Sequence, residues 1–314
     1  MPEPVISVKN IKKNYGKKTV LDGINFEVTK GSIFALLGEN GAGKTTMVRI
    51  LSTLIQADGG VATIGGYDTN RESASVKKMI SVTGQYAAVD ELLTGEENLL
   101  MMGRLNHLDR QTVKQRTAEL LEQFDLQEAA KKRAQSYSGG MRRRLDIAIS
   151  LIADPQVIFL DEPTTGLDPR SRKNMWHMIE RLAESGVTIF LTTQYLEEAD
   201  QLADKIAVIS GGKIVEEGTA EELKRIVGEE KLAFTFYDLP SCQKARDLLG
   251  GQMDVNEMSI TITMEGSPEN MRQLLNGLHE HGINPASFIF RKPTLDDVFM
   301  EITSNHQKGA VVSG

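Results

Sequence analysis

One cysteine, Cys242, occurs in 314 residues. It has no partner for an internal disulfide, which excludes a disulfide-stapled fold and points to a reducing compartment. Long apolar runs are missing too: none approaches the ~18 residues that a membrane-spanning helix needs. If the protein acts at a membrane, another chain must hold it there. Met1-Pro2-Glu3-Pro4 offers neither a basic segment nor an apolar core, so no signal peptide is expected. Positive charge is in deficit, 36 Lys and Arg against 43 Asp and Glu, and the net charge of −7 argues against a broad nucleic-acid-binding face. There is no internal repeat and no low-complexity tract. What remains, 40% hydrophobic and 25% charged, is an ordinary globular composition, and the length suggests about two domains.

The stretch Gly38-Glu39-Asn40-Gly41-Ala42-Gly43-Lys44-Thr45-Thr46 matches the phosphate-binding loop pattern G-x-x-x-x-G-K-[ST]. Glycines let backbone N–H groups turn inward around phosphate oxygens, a path that a Cβ would obstruct. The following helix aims its N-terminal dipole at the same anion. Lys44 adds a full charge for the outer phosphates, and the Thr45 hydroxyl can ligate Mg²⁺. The context agrees. Ile33 to Leu37 reads as a buried strand feeding the loop, and Met47, Ile50, Leu51 and Leu54 recur at helical spacing after it.

A second signal is Asp161-Glu162, which follows the apolar run Val157-Ile158-Phe159-Leu160. Apolar residues ending in acids are how a buried parallel strand finishes at an active site. A phosphate loop needs a further Mg²⁺ contact from a neighbouring strand, assigned to Asp161. Glu162 beside it can polarise an attacking water as general base.

Strands are expected at Val5–Val8, Ile24–Val28, Val61–Ile64 (within a hairpin between Gly59-Gly60 and Gly65-Gly66), Ile80–Thr83, Val187–Leu191 and in a hairpin over Ile206–Val215. Residues 91–153 turn mostly helical, with Leu99, Met102 and Leu105 marking one helix and Val113, Leu120, Leu121 and Phe124 another. Ser138 is set as N-cap of a helix whose apolar face is Leu145, Ile147, Ala148, Leu151 and Ile152. Further helices are expected at 170–184 and 196–203. Strands alternating with helices indicate a mostly parallel α/β sheet. Near Gly228 the character changes. Leu232, Phe234 and Phe236, then Ile260, Ile262 and Met264, alternate with polar residues as half-buried strands. Helices near 242–249 and over Met271–Leu278, with strands at 252–255 and 287–290, complete a βαββαβ order, a small ferredoxin-like sandwich. The expected division is 1–228, with a helical subdomain at about 88–153, then 229–304, and a disordered tail at 305–314.

With the phosphate loop, Ser138-Gly139-Gly140 and Asp161-Glu162-Pro163 in place, residues 5–225 resemble the ATP-binding subunit of an ABC transporter. The resemblance implies the P-loop ABC ATPase fold, with its parallel core, antiparallel β subdomain and helical subdomain, and ATP and Mg²⁺ as ligands. It assigns Gln85 to Mg²⁺ and to sensing the water. It sets Tyr15 as the adenine-stacking aromatic. Read alone, Tyr15 is equally a surface residue; beside a phosphate loop, stacking is favoured. Ser138, Gly139 and Gly140 become the signature that closes over the γ-phosphate of ATP held by a second copy, and Asp168 the acid of the loop joining the copies. Three departures from the family pattern stand out. Tyr137 replaces a leucine, Met141 a glutamine, and Gln194 the switch histidine. An amide can donate to a phosphate oxygen but cannot become cationic. The resemblance therefore implies an active but slow ATPase, with Lys44, Glu162 and Gln194 at the chemistry.

Gln194 and Pro293-Thr294-Leu295-Asp296-Asp297-Val298-Phe299 are similar to the daunorubicin-resistance type of exporter ATPase. That type implies a homodimer, peripheral on the inner face of the cell membrane, working on a separate multi-span membrane permease. Contact with the permease is expected over Ala87–Leu105. The cargo implied is a drug- or antibiotic-like compound, with lipid or polysaccharide as alternative; a soluble ATPase acting on ribosomes or DNA is the remote reading. Leu295, Val298, Phe299 and Ile302 form one apolar stripe, open to packing on their own domain or to docking elsewhere. Arg142, Arg143 and Arg144 read as a solvated basic face rather than a nucleic-acid contact.

Overall fold

The structure, a computed structural model, describes residues 4–84, 88–226, 230–264, 268–291 and 293–300. The expected boundary at 228, the expected tail at 305–314, and Gln85, Ala87 and Ile302 lie outside them. The chain divides into two compact units, Met1–Ala220 and Glu221–Gly314.

The first unit opens with β1 (Pro4–Tyr15) and β2 (Lys18–Thr29), a long antiparallel pair. β3 (Ile33–Leu37) leads through the glycine loop to α1 (Lys44–Leu51). β4 (Gly59–Ile64) pairs with β1, and the short β5 (Tyr67–Asp68) pairs with β4. α2 (Ser73–Lys77) and β6 (Ile80–Thr83) follow. The helical stretch holds α3 (Gly95–Leu105), α4 (Arg110–Gln123) and α5 (Gly139–Ser150). The chain then runs through β7 (Val157–Asp161), α6 (Pro169–Glu184), β8 (Thr188–Thr193), α7 (Leu196–Leu202), β9 (Lys205–Ser210) and β10 (Lys213–Gly218). α8 (Ala220–Ile226) follows β10, all but its first residue belonging to the second unit.

The central sheet has the order β10-β9-β3-β8-β7-β6, parallel except for the β9–β10 hairpin. Every residue of β3, β7 and β8 is buried, the signature of strands covered on both faces. The antiparallel sheet β2-β1-β4-β5 shares one apolar core with it. Phe26 stacks on Phe34 at 5.0 Å between ring centroids, Phe34 on Phe190 at 5.4 Å, and Phe159 lies 5.5 Å from Phe190. Four aromatic rings in contact thus join the two sheets beneath the loop that follows β3.

Two apolar positions expected in helix faces behave otherwise. Leu54 lies beyond the end of α1 and is exposed, because the chain turns through Thr53 at φ 62°. Leu105 closes α3 but is also exposed.

The second unit contains β11 (Lys231–Thr235), α9 (Leu239–Leu249), β12 (Gln252–Asp254), β13 (Ser259–Thr263), α10 (Pro268–Glu280) and β14 (Ser287–Arg291). The strand order is β12-β13-β11-β14, all antiparallel. That is the ferredoxin-like arrangement. Leu232, Phe234, Phe236, Cys242, Ile260 and Leu278 fill its core. Residues 295–300 are helical. Thr294 and Asp297 cap this turn reciprocally, Thr294 N–H donating to Asp297 Oδ2 at 2.9 Å and Asp297 N–H to Thr294 Oγ1 at 3.3 Å. Leu295 and Val298 are buried. The amide and hydroxyl of Thr294 hold the Asp297 carboxyl below its usual range, with Lys231 and Arg291 adding to the effect. Those two cations face each other across β11 and β14.

Candidate functional site

Four parallel strands end at one edge of the central sheet, where open α/β sheets bind ligands. β3 delivers the glycine loop, β7 delivers Asp161 and Glu162, β8 delivers Thr192 to Gln194, and β6 delivers Gly84.

The loop is shaped for close backbone approach. Gly43 has φ 114° and Gly41 has φ 84°. A Cβ on Gly43 would stand 2.6 Å from Leu21 Cδ2, and one on Gly38 would stand 2.4 Å from the Ile209 carbonyl. The Gly38 N–H donates to Thr193 O at 3.2 Å, tying the loop to β8. α1 starts at Lys44 with no side-chain cap, so its free N–H groups face the loop's concavity. A cavity of about 330 Å³ opens there, walled by Lys18, Asn40, Gly41, Lys44, Thr45 and Glu162 among others. Glycines that admit no side chain, free helix N–H groups and a buried lysine fit a polyphosphate. The buried Lys44 ammonium donates to Gly38 O at 2.8 Å and Glu39 O at 3.2 Å and lies 3.3 Å from Glu162 Oε1.

Asp161 is buried, and its Oδ1 accepts from the Thr192 hydroxyl. Thr45 Oγ1 stands 3.5 Å from the same oxygen. A hydroxyl and a carboxylate oxygen converging in this way suit a hard divalent cation such as Mg²⁺. Glu162 follows in the left-handed region at φ 49°, a conformation that costs about 1–2 kcal/mol for a residue with a Cβ. The kink lets its N–H reach Thr192 O at 3.1 Å, and the side chain reaches Lys44 on one oxygen and the Thr165 hydroxyl on the other, 3.3 Å away. Backbone strain of this kind gathers at functional sites.

Gln194 comes directly after Thr193 and is half-buried. Tyr15 lies at the β1–β2 turn, 47% exposed with Lys13 Nζ 5.7 Å from its ring centroid, and is not among the residues walling the cavity.

Ser138 to Gly140 form a second group, brought together with Asp168. Ser138 caps α5, its Oγ accepting from Met141 N–H at 3.2 Å. Asp168 caps α6, accepting from the Arg170 and Ser171 N–H groups, both at 3.0 Å. The Ser171 hydroxyl and these amides hold its carboxyl below the usual range. A Cβ on Gly140 would stand 3.1 Å from Ser171 Oγ, so the starts of α5 and α6 lie against each other. Tyr137, in place of leucine, is buried, with its hydroxyl donating to Ala129 O at 2.7 Å.

The arginine run is not a solvated face. Arg142 pairs with Glu91 at 3.0 Å, and Arg144 donates to Phe124 O at 3.0 Å. Arg143 points inward. Its guanidinium donates to Gly84 O at 3.0 Å, Pro163 O at 3.0 Å, Asp161 O at 3.3 Å and Asp146 Oδ2 at 3.1 Å. Asp146 is buried and also accepts from Ala88 N–H at 2.8 Å. Burial pushes its carboxyl up, opposed by that N–H and by Arg143. Glu198 on α7 is also buried, accepting from Thr164 Oγ1 at 2.7 Å and Trp176 Nε1 at 3.2 Å. The sequence reading missed Thr192, Arg143, Asp146 and Glu198. For Asp146 a signal existed, since an acid between Leu145 and Ile147 interrupts an apolar run.

Comparison with known proteins gives the family and the fold. The ABC transporter family profile matches residues 21–165. The daunorubicin resistance ATP-binding protein DrrA3 of Streptomyces coeruleorubidus is 43% identical over 98% of this chain and 98% of its own length. The Nod factor export ATP-binding protein I of Ralstonia nicotianae is 34% identical over 97% of this chain and 95% of its own. Among solved structures, the ADP conformation of an ATP-binding cassette of an ABC transporter superposes with a TM-score of 0.65. It is 27% identical and covers 70% of this chain and 92% of that one.

Proposed function

The chain belongs to the ABC transporter family, in its class of ATP-binding subunits, and from that premise we propose that it hydrolyses ATP to drive export through a separate multi-span membrane permease. The observation that carries the reading is Glu162. A carboxylate is fixed by a left-handed kink at the mouth of a phosphate-shaped cavity, 3.3 Å from Lys44. A carboxylate held beside the lysine of a phosphate site is what a hydrolase needs of its general base.

The roles follow from the geometry. Backbone N–H groups of residues 38–46 and the Lys44 ammonium bind the phosphate chain. Thr45 and Asp161 would hold Mg²⁺, joined by Gln85 through the family resemblance, and the ion would supply neutralisation of phosphate charge. Glu162 orients a water and takes its proton. Gln194 donates to the terminal phosphate. Tyr15, at the β1–β2 turn, offers an exposed ring for the adenine base.

Two copies work together. The Ser138 hydroxyl and the N–H groups of Gly139 and Gly140 cap the phosphates bound by the other copy, with Asp168 at the joint. ATP then joins the two copies and hydrolysis releases them. No helix among the described residues is long and apolar enough to cross a membrane. The exporter role of the relatives supports a partner embedded in the bilayer, with this subunit on its cytoplasmic face. A cavity of about 550 Å³ beside α3, walled by Met102, Leu105, Ile149 and Ile152 among others, suits a segment of that partner.

For cargo, the 43% identity to a daunorubicin resistance subunit favours a drug- or antibiotic-like compound. The 34% identity to a Nod factor export subunit keeps a lipid- or saccharide-type cargo as the second reading. The test is phosphate release by the purified chain with MgATP. Glu162→Gln should bind ATP and lose at least about 10²-fold in kcat. Normal turnover in that variant would overturn the assignment of the base.

A further inference from the structure

From α5, Arg143 reaches the ends of two strands, β7 and β6. Its Nε and Nη2 donate to Pro163 O and Asp161 O, and its Nη1 donates to Gly84 O at the end of β6 and to Asp146 one turn along its own helix. Pro163 and Asp161 are the two neighbours of Glu162. The guanidinium therefore grips the carbonyls on both sides of the one residue that leaves β7 in a left-handed conformation. Asp146 completes the grip, and it also takes the Ala88 N–H on the approach to α3.

Stability alone does not account for this arrangement. Both side chains are largely withdrawn from water, 13% and 2% exposed. Replacing a buried ion pair by apolar residues of similar volume is often neutral or stabilising. What an apolar pair cannot do is hold two carbonyls at fixed positions. The planar fork of arginine does that, and a lysine ammonium, a single point charge, does not.

We propose that Arg143, set by Asp146, is a positioning residue for the general base: it fixes the backbone around Glu162 and so aims that carboxylate. Because Arg143 sits in the helix that begins at Ser138–Gly140, the same contact makes the aim of Glu162 depend on where that helix lies. The inference rests on the ATPase reading above.

Kinetics on the intact chain test it. The variants are Arg143→Lys, Arg143→Met combined with Asp146→Asn, Glu162→Gln, and each Arg143 variant in the Glu162→Gln background. The double substitution removes both charges and leaves neither orphaned, and Arg143→Lys covers the case in which it does not fold. The expected result is a kcat lowered about tenfold or more, with KM for MgATP and the affinity for a fluorescent ATP analogue within about twofold of wild type. In the Glu162→Gln background the Arg143 substitutions should lower the residual rate no further, since two residues serving one function are non-additive. A merely structural pair would lower the melting temperature and leave kcat per folded molecule unchanged. A catalytic effect that does not run through Glu162 would instead give equal fold-losses in both backgrounds. Either finding, in whichever variant folds, overturns the proposal. Failure of the underlying reading looks different: wild type itself would release no phosphate.

Discussion

Gln194 follows Thr193, whose carbonyl takes the N–H of Gly38, so the residue is fixed beside the phosphate loop by β8 itself. Its amide can donate to a terminal phosphate oxygen without carrying charge. Removing one good transition-state donor costs about 10²–10³ in rate, and a neutral amide supplies part of that. Gln194→Ala should therefore lower kcat by up to about 10²-fold and leave ATP binding nearly intact. The pH–rate profile of the wild type should lack the inflection near neutrality that a histidine at this position would give. Steady-state phosphate release from pH 6 to 9 measures both. An unchanged or raised rate in Gln194→Ala would remove the residue from the chemistry.

The strands that build the site were legible because covered parallel strands leave continuous apolar runs. Ile33–Leu37 and Val157–Leu160 announce themselves in this way, and the glycines between Gly38 and Gly43 match a motif with a mechanical reason. Polar groups buried by tertiary contact were not legible. Nothing local distinguishes Arg143, which turns inward, from Arg142 and Arg144, which pair near the surface. Glu198 is similar. It looks like one more acid in Leu196–Leu202, yet it links α7 to Thr164 and to Trp176 of α6. Burial raises its pKa, against the hydrogen bonds from Thr164, Thr193 and Trp176. The sign follows. A carboxyl with a raised folded-state pKa binds its proton more tightly when folded, so stability falls as pH climbs from the ordinary glutamate value toward the raised one. Glu198→Gln removes this dependence. Its melting temperature relative to wild type should rise with pH from about 4.5 upward and level off below that. A constant difference across that range, in thermal melts from pH 4 to 8, would count against a buried, proton-binding Glu198.

At the scale of the whole molecule the chain comprises two units with separate cores, one on six central strands and one on four. In the second unit β11 and β13 could be read from alternation, since each buries every second residue, whereas β12 and β14 bury none fully and show no such pattern. The stripe through Leu295 and Val298 could not be assigned a partner, because an amphipathic turn does not name what it packs on. The Asp297 carboxyl is held below its usual range first by the Thr294 amide and hydroxyl, then by the charges of Lys231 and Arg291. The first unit carries a phosphate cavity and, at the starts of α5 and α6, a second set of donors built from Ser138, Gly139 and Gly140. The central claim is that these two sets meet only across two copies of the chain, with ATP between them. Light scattering on the Glu162→Gln protein after size-exclusion chromatography tests this directly. The account predicts a particle of about twice the 34.6 kDa chain mass with MgATP and a single chain with MgADP. A single chain under saturating MgATP, in protein shown to bind the nucleotide, would contradict it.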